Sequence, residues 1–192
     1  MFSLFFSRAF SFFAAVHPIK WNGLKPVFVD VLPDQNIDFS KIERCINKKT
    51  KAIMPVHLTG RPCEMNEIMR ISKKYNLKVI EDAAQSIGTK YANKKIGTIG
   101  DIGCFSAHPL KNLNALGDSG YLATNNKKIY EKIKDLSNHG MTKRNTIYRF
   151  GYVSRMDTLQ AAILSFKLKN LNNVISKRRK NFEIYYDHLD RG

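Results

Sequence analysis

Cysteine is scarce in this 192-residue chain and follows no recognisable pattern. Cys45, Cys63 and Cys104 are widely separated, form no CxxC pair and have no histidine at zinc-finger spacing. We therefore predict neither a disulfide framework nor a metal site. A reducing cytoplasm is the compartment that fits this cysteine usage.

Long apolar runs are also missing. No stretch of 18 or more apolar residues occurs, so the sequence predicts no transmembrane helix and no membrane partner. The Phe- and Ala-rich residues 1–16 resemble the apolar part of a signal peptide, but Arg8 interrupts them and no basic stretch precedes them. We favour a buried strand and turn over a secretion signal.

Acidic residues are few, 16 against 32 Lys and Arg, and the net charge of +16 is of the kind found in nucleic-acid-binding proteins. However, the lysines come mostly in pairs spread along the chain. No aromatic residues alternate with the one dense cluster, residues 177–180, as they would in a base-stacking surface. We favour solvated helix faces, expect no nucleic-acid partner, and regard the charge as compatible with an anionic substrate.

No internal repeat or low-complexity linker interrupts the chain, and strand-like apolar runs alternate with segments of helical periodicity. The predicted strands are residues 26–31, 52–57, 77–82, 102–106 and 120–124, and the predicted helices are 39–47, 65–75, 127–138 and 156–171. The alternation predicts an α/β fold with a mostly parallel sheet, which binds ligands at the carboxyl ends of its strands. In the last helix an apolar stripe indicates a core or a subunit interface: Met156, Leu159, Ile163 and Phe166.

Two segments offer candidates for chemistry. Glu81 and Asp82 end the strand 77–82. Either this acidic pair contacts a ligand, or Asp82 is the N-cap of a helix, and the spacing does not decide between the two. Lys111 follows a short strand and a proline-bearing turn, between apolar neighbours. A buried lysine can act as an amine nucleophile, although by itself a structural lysine is the commoner case.

Several ordered motifs resemble the DegT/DnrJ/StrS family of PLP-dependent (nucleotide-)sugar aminotransferases. They are EDAAQ at residues 81–85, GDIGCFS at 100–106, KNL at 111–113 and GDSG at 117–120, with further matches at 138–140, 155–157 and 160–162. The resemblance extends from about residue 10 to about residue 189, and such an ordered set is more specific than a lone glycine pattern. It implies a three-layer α/β/α sandwich, the large domain of the aspartate aminotransferase type I fold.

The resemblance also implies a role for each of five residues around the cofactor pyridoxal 5'-phosphate (PLP). Lys111 matches the lysine that binds PLP covalently and then shuttles a proton. Asp82 matches the carboxylate that faces the pyridine nitrogen and keeps it protonated. Gln85 matches the side chain that bonds the phenolic oxygen, Ala84 a small residue against the ring, and Ser106 a phosphate contact. Structural roles are favoured for three histidines in matching segments, His57, His108 and His139.

The implied reaction moves an amino group, usually from glutamate, to a nucleotide-linked keto-sugar for polysaccharide or lipopolysaccharide synthesis, and the implied assembly is a homodimer. One alternative is a catalytically inactive fragment or regulatory relative. Another is a PLP-dependent sugar dehydratase, but such family members replace the lysine, often by histidine, and Lys111 argues against it.

The chain departs from the family pattern in three respects. It lacks the earlier Gly-Thr turn that binds the PLP phosphate, it lacks the smaller C-terminal domain, and Val153 replaces an Asn that reaches the neighbouring subunit's cofactor. We therefore expect one partial PLP-binding large domain over residues 1–192, truncated at both ends. Residues 1–9 are a candidate non-native start, and residues 172–192 a helix toward a missing small domain. We expect this chain alone to be weakly active or inactive.

Overall fold

A computed structural model describes residues 4–8 and 12–189. Its strands are β1 Leu4–Arg8, β2 Lys25–Val29, β3 Thr50–Met54, β4 Lys78–Asp82, β5 Lys90–Tyr91, β6 Lys94–Lys95, β7 Ile102–Ser106, β8 Gly120–Ala123, β9 Met141–Lys143 and β10 Thr146–Ile147. Its α-helices are α1 Phe13–Trp21, α2 Met65–Lys74, α3 Lys127–Ser137, α4 Thr158–Lys169 and α5 Leu171–His188. Within this described part of the chain, no helix has the length and apolar character needed to cross a membrane.

Six strands form one sheet in the order β2-β1-β3-β4-β7-β8. All neighbouring pairs are parallel except β7 and β8, which are antiparallel. This arrangement confirms the predicted α/β class and the mostly parallel sheet. Because β3, β4 and β7 are adjacent and parallel, their carboxyl ends lie along one edge.

Two apolar clusters stabilise the sheet. In the larger one, Ile53 of β3 and Val79 of β4 pack with Met65 and Ile68 of α2, and all four side chains are completely buried. Burial of a side chain of this size contributes about 1.5–3 kcal/mol. The smaller cluster joins the segment after β7 to α4 and α5: Ala107, Leu113, Ala115, Leu164 and Leu171.

The N-terminal strand β1 lies inside the sheet, where Phe5 is opposite Pro26 of β2 and Ala52 of β3. These pairings place residues 4–8, part of the candidate non-native start, within the fold, while residues 1–3 and 9–11 lie outside the described residues. The predicted strand is confirmed; the segment in which the predicted turn would follow it includes residues 9–11, outside the described residues, and helix α1 begins at Phe13. Pro18 lies inside that helix and argues against it in sequence, since proline lacks an N–H.

The helix predicted over residues 39–47 is also wrong in type. Two short 3₁₀ turns, Phe39–Lys41 and Glu43–Cys45, take its place. The Asp38 carboxylate accepts hydrogen bonds from the N–H and the hydroxyl of Ser40, which fixes a tight first turn. Ile42 is nevertheless buried, as the helical pattern requires. The apolar spacing therefore predicted which side of the segment is buried, but not the type of helix.

Of the predicted stripe, Met156 packs against the smaller apolar cluster and Ile163 is half-buried, but the side of α4 that packs inward lies next to the stripe. Leu159 is 65% exposed and Phe166 is 77% exposed, whereas Leu164 is buried against the segment after β7. The side that packs inward also carries Gln160 and Lys167, which bond that segment. The two polar residues hide the true packing face from an analysis based on apolar spacing.

Candidate active site

Asp82 and Ser106 lie on the sheet edge where the carboxyl ends of β4 and β7 meet. Asp82 is the last residue of β4 and Ser106 the last of β7. In the parallel register Asp82 is opposite Cys104, so Ser106 lies two residues further along the same edge. Parallel sheets of this kind bind ligands at this edge.

Asp82 is fixed through its backbone, and the charge of Lys111 acts on its pKa. Its N–H donates to the Pro55 carbonyl (2.8 Å) and its carbonyl accepts from the His57 N–H (3.1 Å). Burial raises the pKa of Asp82, while the hydrogen bond from the Ala84 N–H and the charge of Lys111 act in the opposite direction. The Lys111 amine therefore lies within electrostatic reach of this carboxylate.

The segment between β7 and β8 presents Lys111 from a closed turn. The Lys111 N–H donates to the His108 carbonyl (2.8 Å), and the Ala107 N–H donates to the Ser119 carbonyl (2.8 Å). The Ala115 N–H donates to the Ala107 carbonyl (2.8 Å). These bonds close the base of the loop on both sides of the half-buried Lys111.

The amide of Gln85 is oriented by a neighbouring loop. The Thr59 N–H donates to Oε1 of Gln85 at 2.6 Å. Thr59 has the left-handed φ of 53° that directs this N–H. Because the amide oxygen is occupied, and because Nε2 bonds nothing among the described residues, the exposed NH₂ group remains available to donate to an oxygen of a ligand.

The Ser106 hydroxyl is similarly available. Its Oγ accepts the His108 N–H at 3.4 Å, and the hydroxyl hydrogen can still be donated. The side chain is half-buried at the end of β7. A hydroxyl donor in this position suits an anionic group such as a phosphate.

Glu81, the other member of the predicted acidic pair, has a structural role. Successive side chains of a strand point to opposite faces, and Glu81 shares the face of the buried Val79. Its carboxylate accepts the N–H groups of Gly97 (2.8 Å), Ile99 (2.8 Å) and Gly100 (2.7 Å). Burial raises the pKa of Glu81, but hydrogen bonds from His57 and these three N–H groups outweigh it, so the pKa lies below its ordinary value.

His57 is a buried structural residue, as expected from the sequence. The Cys63 N–H donates to Nδ1 at 3.1 Å, so Nδ1 carries no proton. The ring proton is then on Nε2, which lies 3.2 Å from Oε2 of Glu81. His57 is thus a neutral imidazole that donates to a buried carboxylate.

The other two histidines have different surroundings. Nδ1 of His108 accepts the Leu110 N–H at 3.2 Å, and Nε2 lies 3.8 Å from Oδ1 of Asp118. His139 is exposed at a turn with φ 61°. The contacts of His108 support a structural role for that residue.

Cys104 is next to Asp82 but has the wrong protonation for a nucleophile. Burial raises the pKa of the Cys104 thiol to about 11, and the negative charges of Asp82 and Glu81 add to the effect. The thiolate is the reactive form of cysteine. At neutral pH this thiol is therefore protonated and inert.

The structure brings the five predicted site residues to one sheet edge. Asp82 offers an acceptor, Gln85 and Ser106 offer donors, and Lys111 offers an amine. Ala84 follows Asp82 and leaves space with its methyl side chain. This donor and acceptor set fits a pyridine ring that carries a phenolic oxygen, an aldehyde and a phosphate.

The sequence singles out Glu81 as a site candidate and His57 as structural, but it shows neither the bond between them nor the role of Thr59. Glu81 and His57 lie inside the recognised motifs, but only the strand alternation separates the structural Glu81 from Asp82. Thr59 bonds Gln85 through its backbone, which no side-chain pattern reports. Its position before Gly60, which has φ 83°, was the one available signal of an unusual turn.

Comparison with known families identifies the chain. The model of the DegT/DnrJ/EryC1/StrS aminotransferase family matches residues 7–191. The chain belongs to this family. The match covers nearly the whole chain and confirms the resemblance carried by the ordered motifs.

Family members are similar to this chain in sequence and in structure. A curated relative, dTDP-3-amino-3,6-dideoxy-alpha-D-galactopyranose transaminase of Aneurinibacillus thermoaerophilus, is 46% identical over 182 residues, 93% of this chain and 50% of that protein. PseC of Helicobacter pylori, an aminotransferase involved in the biosynthesis of pseudoaminic acid, has a TM-score of 0.95 at 28% identity, over 99% of this chain and 52% of PseC.

A third member of the family bears on the cofactor. NtdA of Bacillus subtilis, solved with bound cofactor PMP, has a TM-score of 0.78 at 38% identity, over 84% of this chain and 37% of NtdA. The DegT/DnrJ/EryC1/StrS aminotransferases are PLP-dependent enzymes. This chain spans about half the length of the curated relatives it matches.

Proposed function

We propose that this chain is the PLP-binding part of a sugar aminotransferase that moves an amino group, drawn from glutamate, to a nucleotide-linked keto-sugar. The observation that carries the proposal is the placement of Lys111, in the loop that follows β7, at the sheet edge where Asp82 ends β4. An amine and a carboxylate at one ligand edge are the two groups that PLP chemistry requires from the protein. The chain's membership of the family supports the reaction class.

PLP, when bound, supplies an electron sink that makes a proton beside the transferred nitrogen removable. In the proposed site Lys111 holds the cofactor and then moves that proton, because its amine can both accept and donate. Oδ2 of Asp82 bonds nothing in the described part of the chain, so this carboxylate would be the group to hold the ring nitrogen, and its negative charge would keep that nitrogen protonated. A cationic partner there lowers the pKa of Asp82 against the effect of burial.

The remaining roles follow from the contacts of each side chain. The Gln85 NH₂ donates to the phenolic oxygen, since Thr59 occupies Oε1. Ala84 lies against the ring, where a larger side chain takes up the space of the cofactor. The Ser106 hydroxyl donates to the phosphate. The product feeds the synthesis of surface polysaccharide or lipopolysaccharide.

The experiment that tests this function separates cofactor capture from amino transfer. PLP is added to the purified chain, and absorbance is followed before and after stoichiometric glutamate. We expect a yellow band from lysine-bound cofactor and, because this chain spans about half the length of its relatives, only a slow loss of the band as the amino group reaches the cofactor and a slow return with a nucleotide-linked keto-sugar. No band means a non-catalytic relative, and a band that glutamate leaves unchanged contradicts transamination.

We also propose that the chain pairs with a second copy through the exposed side of α4. Leu159 and Phe166 are seven residues apart and therefore share one helix face, and both are largely exposed. Exposed apolar patches of this kind mark interaction sites. Val153, the position that the family pattern assigns to a neighbouring subunit's cofactor, is also exposed.

Replacement of Phe166 by glutamate is expected to convert the homodimer to a monomer, because it buries a charge in the apolar contact. Sedimentation of the chain over a concentration series measures the change. Leu168→Glu is the matched control, since Leu168 is 54% exposed on the same helix but lies on another side. A monomeric wild-type chain, or equal dissociation by both variants, contradicts this interface.

A further inference from the structure

Lys167 occupies an unexpected position on the packed side of α4. It lies three residues after Leu164 and four before Leu171, both buried in the smaller apolar cluster. A lysine on such a face loses side-chain entropy and partly desolvates its charge. Its retention there calls for a specific partner.

That partner is Asn114, in the loop that carries Lys111. The Lys167 ammonium donates to the Asn114 carbonyl at 3.0 Å and to its side-chain Oδ1 at 2.6 Å. Hydrogen bonds from a charged donor are shorter and stronger than neutral ones. The two contacts span 53 residues of sequence and join α4 to the loop.

Asn114 also bonds the turn that precedes Lys111. Its Nδ2 donates to the Pro109 carbonyl at 2.7 Å. The orientation of the amide is set by its neighbours, because the ammonium can only donate and the proline carbonyl can only accept. Gln160, also on α4, accepts the Leu116 N–H at 2.9 Å and holds the far side of the loop.

We propose that Lys167 is a positioning residue that holds the turn bearing Lys111 through Asn114. It does not touch the reacting atoms. Lys111 lies between the two carbonyls held by this network, those of Pro109 and Asn114. The inference rests on the proposed role of Lys111, and it predicts that the amine loses its position when the ammonium is removed. A displacement of about 1 Å can slow a reaction by about 10²-fold.

Lys167→Met tests the proposal without opening the core, because methionine keeps an unbranched apolar stem between Leu164 and Leu171. Lys167→Arg is the conservative variant and retains the paired donors. Lys169→Met is the matched control, since it removes the same charge from an exposed position two residues away.

Two readouts are compared in the full chain. The first is amide hydrogen exchange over residues 108–116 without cofactor, and the second is the rate at which added PLP develops the yellow band. For Lys167→Met we expect exchange to accelerate by about 10-fold or more and the band to appear at least about 10-fold more slowly. Lys167→Arg restores both, and Lys169→Met resembles the wild type.

Asn114→Ala provides an independent arm. If the two residues act as one unit, the double variant Lys167→Met/Asn114→Ala is no more affected than either single variant. Unchanged exchange and band formation in Lys167→Met overturn the proposal, as does an equal effect of Lys169→Met. Faster exchange with no band in any protein, the wild type included, instead overturns the cofactor role of Lys111.

Discussion

A chain in which Lys111 is replaced by alanine is expected to develop no yellow band with PLP. Lys111 is the one amine that the structure places within electrostatic reach of Asp82 among the described residues, and alanine cannot form a covalent bond to the cofactor. Borohydride reduction of the wild-type mixture, followed by peptide mapping by mass spectrometry, measures where the adduct forms. We expect it on the peptide that contains Lys111. In any protein that turns over, the lost proton transfer costs a further factor of about 10² to 10⁴.

Lys128→Ala is the control for this experiment. Lys128 is exposed in the first turn of α3, and its backbone N–H, not its side chain, bonds the Asn126 cap. This variant should keep the band, because it removes the same charge away from the sheet edge. An adduct spread over surface lysines, or one retained in Lys111→Ala, contradicts the assignment of Lys111.

The sheet could be predicted from sequence because its strands are short and apolar. The predicted strand 77–82 encloses β4 and the predicted strand 52–57 overlaps the second half of β3, and Ile53 and Val79 in these strands are completely buried. The alternation of strands with helices then indicates a parallel sheet. The site could be located from the same pattern, because ligands bind at the carboxyl ends of such strands.

The errors have identifiable physical causes. A proline at position 18 argues against helix α1 in the sequence. The helix forms nevertheless, and the Pro18 carbonyl accepts hydrogen bonds from the backbone N–H and the side-chain amide of Asn22. In α4 the packed side includes Lys167, whose charge is satisfied by a loop 53 residues away. A contact over that distance leaves no periodic trace in the sequence. Apolar spacing instead selects Leu159 and Phe166, which are exposed.

The acidic pair shows how far local sequence can lead. Glu81 and Asp82 are adjacent, of the same charge and equally placed at a strand end. Their roles differ because the strand turns them to opposite faces. Only the structure shows three N–H groups converging on Glu81, and this convergence leaves Asp82 as the carboxylate that can face a ligand.

The substitution Glu81→Gln is expected to cause the largest loss of stability. Each oxygen of the Glu81 carboxylate accepts two donors, Ile99 and Gly100 at Oε1, and Gly97 and His57 at Oε2. Glutamine has the same shape but replaces one oxygen by an NH₂ group, so two donors face each other in a fully buried site. We expect a loss of about 3–5 kcal/mol in the free energy of unfolding, or on the order of 10 °C in Tm.

The effect should depend on pH in a defined direction. The pKa of Glu81 is below its ordinary value of 4.5 in the folded chain. A carboxyl group of this kind contributes stability that is fully present above the unfolded pKa and is lost as the pH falls through the folded pKa. The difference in Tm between wild type and Glu81→Gln should therefore be largest above about pH 5 and shrink at lower pH.

Glu67→Gln serves as the control for thermal unfolding monitored by circular dichroism. Glu67 pairs with Arg70 at 2.9 Å on the surface of α2, where its side chain is 41% exposed. Such pairs are screened by water and contribute little, so this variant should leave Tm nearly unchanged. The loop held by Glu81 also packs closely on β7, since a Cβ on Gly103 would collide with the backbone of Gly97. Comparison of the two variants separates the contribution of this packing from that of the Glu81 carboxylate. If the Glu81→Gln chain is as stable as Glu67→Gln, packing alone holds this loop, and the buried carboxylate contributes nothing to the stability of the fold.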